Sequence, residues 1–169
     1  LYEEMVHVPL LMRVPGVGGK RVDTPIGHME VAPTVCELLG VPVPRAFRGR
    51  SRAGEILGGP AAQPEPVFFE VFPDSNYAGH QVGLRLGDLK LIHRLHTHTF
   101  ELYDLAADPR ERANVVDTHP RAEALKAELA RYVDHHLYWL AKGRTGAKQP
   151  PGAPPKPKAK PRRKRRPKR

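Results

Sequence analysis

The chain has 169 residues, of which 40% are hydrophobic, and a formal net charge of +10. That length supports one domain with a real core, and no apolar run approaches the ~18 residues that a bilayer-spanning helix needs. The charge is unevenly placed: thirteen of the 28 Lys and Arg follow Ala141 with no acid among them, leaving 15 basic residues against 18 acidic ones before it, so a mildly acidic body carries a basic tail.

No basic-then-apolar signal sequence opens the chain, so targeting information is expected elsewhere. Leu1-Tyr2-Glu3-Glu4 reads as the middle of an element, and the start is taken as a truncation. The mostly apolar run Val6 to Met12, ended by Pro15-Gly16 and the turn through Gly18-Gly19, predicts a buried strand. Both of its faces are apolar, which places it inside a sheet covered on both sides. Over Glu30 to Gly40 the proline near the start and the glycine past the end predict a helix, with Val31, Val35, Leu38 and Leu39 on its apolar face.

Proline, glycine and arginine dominate from Pro42 to Pro66, which reads as connecting surface with a possible helical turn around Ala53 to Leu57. Val67–Phe72, Val82–Leu86 and Leu89–His93 then read as strands, the last two joined through Gly87-Asp88 as a tight antiparallel hairpin. Asp108-Pro109-Arg110-Glu111 is a turn. After Pro120 the spacing of Ala122, Leu125, Leu129, Tyr132, Val133, Leu137 and Leu140 predicts a helix of about five or six turns. From Gly143 to Arg169 the composition cannot offset the entropy of ordering, and disorder is expected.

Several segments, in order, resemble the sulfatases of the alkaline-phosphatase-like superfamily. They are Leu1-Tyr2-Glu3-Glu4 with His7-Val8-Pro9-Leu10; Val22-Asp23-Thr24-Pro25; Val31-Ala32-Pro33-Thr34 with Leu38-Leu39-Gly40-Val41-Pro42; and Phe47-Arg48-Gly49-Arg50-Ser51. Lys90-Leu91-Ile92, Glu101 to Leu105, Asp108-Pro109, Glu111 and Asn114 resemble the family's closing hairpin and turn. Each motif alone is weak; their common order over roughly residues 1 to 140 is what carries the likeness. Two positions depart from the family pattern: Glu30 stands where aspartate is usual, and Arg52 where an apolar residue is common.

The resemblance implies an α/β fold: residues 1–60 end the central sheet of the catalytic domain. Residues 61–142 form a small antiparallel subdomain with a packed carboxy-terminal helix, and residues 143–169 a disordered Pro/Lys/Arg-rich tail. It further implies sulfate-ester hydrolysis by a formylglycine hydrate beside a divalent cation, usually calcium. The nucleophile of that reaction lies in a Cys/Ser-x-Pro-Ser-Arg motif, whereas Cys36 is followed by Glu37-Leu38-Leu39. Cys36 is therefore read as a buried small side chain, no catalytic residue or metal ligand is assigned to this chain, and none of the cofactor is expected to bind it alone. The family's nucleophile, last metal loop and substrate lysine are expected upstream of residue 1.

Among the remaining polar groups, the adjacent Glu3 and Glu4 read as an ion-paired or solvated strand entry. His93, His96 and His98 make the densest set of potential ligands, with 96 and 98 on one face if the strand continues; a polar hairpin tip explains them equally well, and no acid or cysteine has fitting spacing for a metal. The candidate substrate-binding residues are His7, which precedes the apolar run, and His96 and His98 at the hairpin; His28 is a weaker one. The tail should attract polyanions without specificity, but it lacks the aromatics and fold of a specific nucleic-acid reader.

The expected function is that of the carboxy-terminal part of a sulfatase-like hydrolase, inactive alone. The alternatives are a phosphate- or phosphonate-ester hydrolase or phosphoglycerol transferase of the same superfamily, and a polyanion-binding module acting through the tail. A sulfate ester is the expected substrate of the complete protein. A periplasmic, extracellular or envelope location is favoured by the resemblance alone.

Overall fold

A computed structural model of the chain describes residues 1–73 and 79–145, the side chains of residues 137–145 excepted. The chain divides into two compact units, Leu1–Val133 and Asp134–Arg169. Of the second, the described residues 134–145 are helical.

The first unit is built on a four-stranded antiparallel sheet in the order β1-β2-β3-β4: β1 Val67–Val71, β2 Gln81–Leu86, β3 Leu89–Arg94 and β4 Thr99–Asp104. Gly87 closes the β2–β3 hairpin at φ +63°, a left-handed conformation that suits glycine, and the register pairs Leu86 with Leu89. Period-two alternation then sorts the strands into two faces. On one, Val82, Leu84, Leu89, Leu91 and Leu102 form a closed core with Ala122, Leu125 and Leu129 of a long helix running from Ala122 to Thr145. Phe68 of β1 stacks on Tyr132 of that helix at 4.2 Å between ring centres. The other face buries Ile92 and Tyr103 beneath Leu1 and Tyr2. The outer edge of β4 is closed by Asn114, whose side-chain oxygen accepts Leu102 N–H and whose amide donates to Phe100 O.

Three helices precede the sheet: α1 Glu3–Val6, α2 His28–Leu38 and α3 Ala53–Ile56; the long helix is α4. Glu30 holds the start of α2 by accepting Gly27 N–H at 2.8 Å. Pro33 lies inside α2. It has no N–H to donate to Met29 O one turn earlier, and the chain at Gly49 packs against that carbonyl: a Cβ there would lie 2.0 Å from Met29 O. The Arg48-Gly49-Arg50-Ser51 turn thus docks where proline has left a carbonyl free.

Several sequence expectations are corrected here. Val8–Met12 is not a buried strand: it pairs with no strand among the described residues, and Val8, Leu10, Leu11 and Met12 are exposed, Leu11 at 91%. Its burial depends on neighbouring strands, which the described residues do not supply. Glu3 and Glu4 open a short helix rather than a strand. On α2, Val35 and Leu39 face outward while Pro33 and Thr34 are buried, because the Gly49 turn and Arg52 cover that side instead. Cys36 is half-buried rather than buried. Residues 143–145 continue α4, so the helix outlasts its predicted end. The expected disorder beyond them, and the predicted core positions Leu137 and Leu140, lie outside what is described.

Candidate functional site

Three clusters of ionisable side chains tie parts of the first unit together. In the first, Lys90 has no exposed surface, yet its ammonium lies 2.9 Å from Glu3 Oε1 and 2.9 Å from Glu111 Oε1. Arg85 approaches the other Glu3 oxygen at 3.0 Å, and Glu111 Oε2 accepts Glu3 N–H at 2.5 Å. Glu111 adopts the left-handed conformation at φ +53°. This turn residue, two strands and a four-residue helix are thereby tied through buried charge. A helix of that length has no stability of its own, so α1 owes its place to these contacts and to the packing of Tyr2 and Val6.

The second cluster centres on Glu101. Its carboxylate accepts Arg94 Nε–H at 2.8 Å and the hydroxyls of Tyr2 and Tyr103 at 3.1 Å each. Burial alone would raise its pKa, but these donors outweigh burial and hold the carboxyl below the ordinary carboxylate value. Burial and the facing Glu101 carboxylate raise Tyr103, which therefore stays protonated as a donor.

The third cluster gathers Arg52, Glu55 and Glu30. Arg52 is buried, 3.0 Å from Glu55 Oε2 and 3.6 Å from Glu30 Oε1. Thr24 donates to Glu55 at 2.7 Å, and Arg52 N–H donates to Thr34 Oγ1 at 2.9 Å. The buried guanidinium is balanced chiefly by Glu55, with Glu30 farther away on its other side, which explains how it is accommodated.

In all three clusters the charges are consumed by one another, and none presents a free acid, base or nucleophile to a cleft. The candidate substrate residues do not converge either. His7 is exposed, with Nδ1 3.4 Å from Glu3 Oε2, and Glu3 in turn meets Arg85 and Lys90 beside the Gly87 turn. His96 and His98 are exposed in the β3–β4 turn, at the opposite end of β3, roughly 20 Å away along the strand. The strand stops at Arg94, so these two do not share a strand face, and His98 takes φ +55°. His28 is exposed on α2. Among the described residues no group of three His, Cys, Asp or Glu side chains is placed to hold a metal ion. The carboxylates of the three clusters are paired with Lys or Arg and do not fit a calcium site.

Residues 1–137 match the model of the family described as N-sulphoglucosamine sulphohydrolase, C-terminal. The chain belongs to this sulphohydrolase C-terminal family. Its relatives include the delta 4,5-hexuronate-2-O-sulfatase of Bacteroides thetaiotaomicron, 29% identical over 144 residues that make up 80% of this chain and 29% of the relative. The choline-sulfatase of Rhizobium meliloti is 29% identical, over 79% of this chain and 26% of that protein. The solved structure of a 2-O GAG sulfatase superposes with a TM-score of 0.53 at 26% identity, covering 70% of this chain and 26% of that one. The chain therefore spans under a third of the length of these relatives, and its small sheet with a carboxy-terminal helix is the closing portion of the sulfatase α/β architecture.

The buried clusters are not legible in the sequence alone, because a lysine within β3 and an arginine after Ser51 carry no local sign of burial. The signal available was the family motif itself: Lys90, Glu101, Glu111 and Asn114 all stand in it, and each has a buried or edge-closing partner.

Proposed function

We propose that this chain is the closing part of a sulfate-ester hydrolase and that the reacting groups are supplied by residues outside it. The observation that supports this most is the distribution of apolar surface. Of the fourteen exposed large hydrophobic residues among those described, thirteen lie between Met5 and Leu57 and one, Phe72, beyond. The small sheet and α4 close their own core, whereas the first 60 residues present a face that a neighbouring layer of an α/β domain would cover.

On this reading residues 1–60 complete a catalytic domain, residues 61–142 form a subdomain beside it, and the tail from residue 143 attracts polyanions without specificity. A divalent cation, calcium by family likeness, would supply charge neutralisation at sulfur and would be held by groups outside this chain. His7, at the apolar face, and His96 and His98, at the hairpin tip, would act as hydrogen-bond donors toward an anionic substrate from separate places on the rim.

The test is an assay of the purified 169-residue chain against an aryl sulfate with and without calcium, with calcium binding followed by calorimetry. Neither turnover nor tight calcium binding is expected, because a calcium site needs six to eight clustered oxygens. Reproducible metal-dependent sulfatase activity from the chain alone would overturn the proposal. Removal of residues 143–169 should abolish low-salt retention on heparin; unchanged retention would reject the role given to the tail.

A further inference from the structure

Cross-strand registration sets Glu70, Val82, His93 and Phe100 in one row across the sheet on the face that α4 covers. His93 stacks on Phe100, with ring centres 3.9 Å apart and planes 13° from parallel, and its Nε2 is buried without a hydrogen-bond partner. Just beyond, the chain turns through residues 95–98 with His98 in the left-handed region.

We propose that His93 and this turn form an acid-sensitive latch: neutral His93 holds the end of the β3–β4 hairpin closed, and its protonation releases residues 95–98. The surrounding charges leave a protonated imidazole without compensation. The Phe100 ring already carries the Lys126 ammonium of α4 at 5.3 Å from its centre, and Lys126 is bonded to Glu123. Glu70 on β1, separated from His93 in the row by Val82 of β2, is hydrogen-bonded to His80 at 2.5 Å. Arg94 and Glu101, on the opposite face, pair with each other. His98 is the close like-charged neighbour at the tip, and His96 lies beside it with its ring against Gly79, where a Cβ would fall 2.1 Å from Nδ1. Tyr132, from α4, is pushed up by burial and by Glu70 and adds no negative charge. Burial pushes His93 itself below the ordinary imidazole value, and His98 adds to the shift. The closed hairpin therefore binds fewer protons at this site than the open one, and acid favours opening.

The latch governs how His96 and His98 are presented, and so rests on the proposed function for its use; its test reads backbone protection and is independent of any sulfatase activity. Amide exchange of the full chain is followed by NMR from about pH 8 to about pH 5, across the ordinary imidazole range. Protection factors at Arg94, Leu95 and Thr99 should fall by about tenfold for each pH unit separating the closed and open pKa values. Leu91 and Leu102 should keep theirs. His93→Phe retains the stack without the titration and should hold protection constant with pH. His98→Asn tolerates the left-handed turn and should weaken the response by relieving the like charge. Tip protection unchanged with acid in the natural chain, or an undiminished response in His93→Phe, would overturn the latch. Should His93→Phe fail to fold, an undiminished response in His98→Asn has the same force.

Discussion

Lys90 sits with its whole side chain enclosed while its ammonium bridges an acid from a four-residue helix and an acid from a left-handed turn position. Breaking such a pair from one side leaves carboxylates buried without their cation, which costs about 3–5 kcal/mol when both partners are enclosed. Glu3 keeps some exposure and a second partner in Arg85, so Lys90→Met should cost about 3 kcal/mol, the low end of that range, read from the urea midpoint. A loss indistinguishable from zero would mean that hydrophobic contacts alone hold α1. Glu101 makes the complementary statement in pH. Its folded pKa lies below the unfolded value, so its contribution is fully present above the ordinary carboxylate range and is lost as pH falls through the folded value. Glu101→Gln should flatten the dependence of stability on pH below about 4.5; equal slopes for both proteins would argue against this site.

At the scale of elements, α4 and the Gly49 turn offer the clearest tests. Leu129 is fully buried against β2, β3 and β4, and Leu129→Ala should destabilise by about 2–5 kcal/mol; an unchanged unfolding midpoint would mean that another face of α4 is buried. Gly49→Ala sets a methyl against the Met29 carbonyl, where no flexible side chain can yield, and should cost about 1–3 kcal/mol. These elements also divide what the sequence discloses from what it conceals. The β2–β3 hairpin and α4 are written locally, in a Gly-Asp turn and in helical spacing, and both begin where the pattern puts them, although α4 runs past its predicted end. β4 is harder to read from its own residues, since Glu101, Tyr103 and Asp104 interrupt its apolar run and Asn114, ten residues past its end, closes its edge. Val8–Met12 carries a strong strand pattern and has no strand, because a strand is completed by a neighbour and not by its own composition. The three histidines His93, His96 and His98 cluster in sequence, but only His96 and His98 lie in the exposed turn, while His93 sits in β3 with Nε2 buried. The clamp on Glu3 is not legible in the sequence, since helical α1 appears only once Lys90 and Glu111 are in place.

At the scale of the first unit, apolar exposure is unevenly distributed among the described residues. The first sixty residues hold the exposed apolar stretch, whose most exposed member is Leu11. Leu11→Lys should reduce self-association of the isolated chain, measured by sedimentation, without lowering its unfolding midpoint; continued association to the same extent would place the adhesive surface elsewhere. The sheet is guarded differently. Asn114 occupies Leu102 N–H with its oxygen and Phe100 O with its amide, and Val115 N–H donates to Leu102 O at 2.9 Å. Three backbone groups that a visiting strand would need on that side are therefore already answered, which blunts the edge as a template for a copy of the chain. One asparagine, ten residues beyond the strand it covers, thus makes β4 a terminus in the sense a polymer chemist would use: growth of the ladder stops at a capped end.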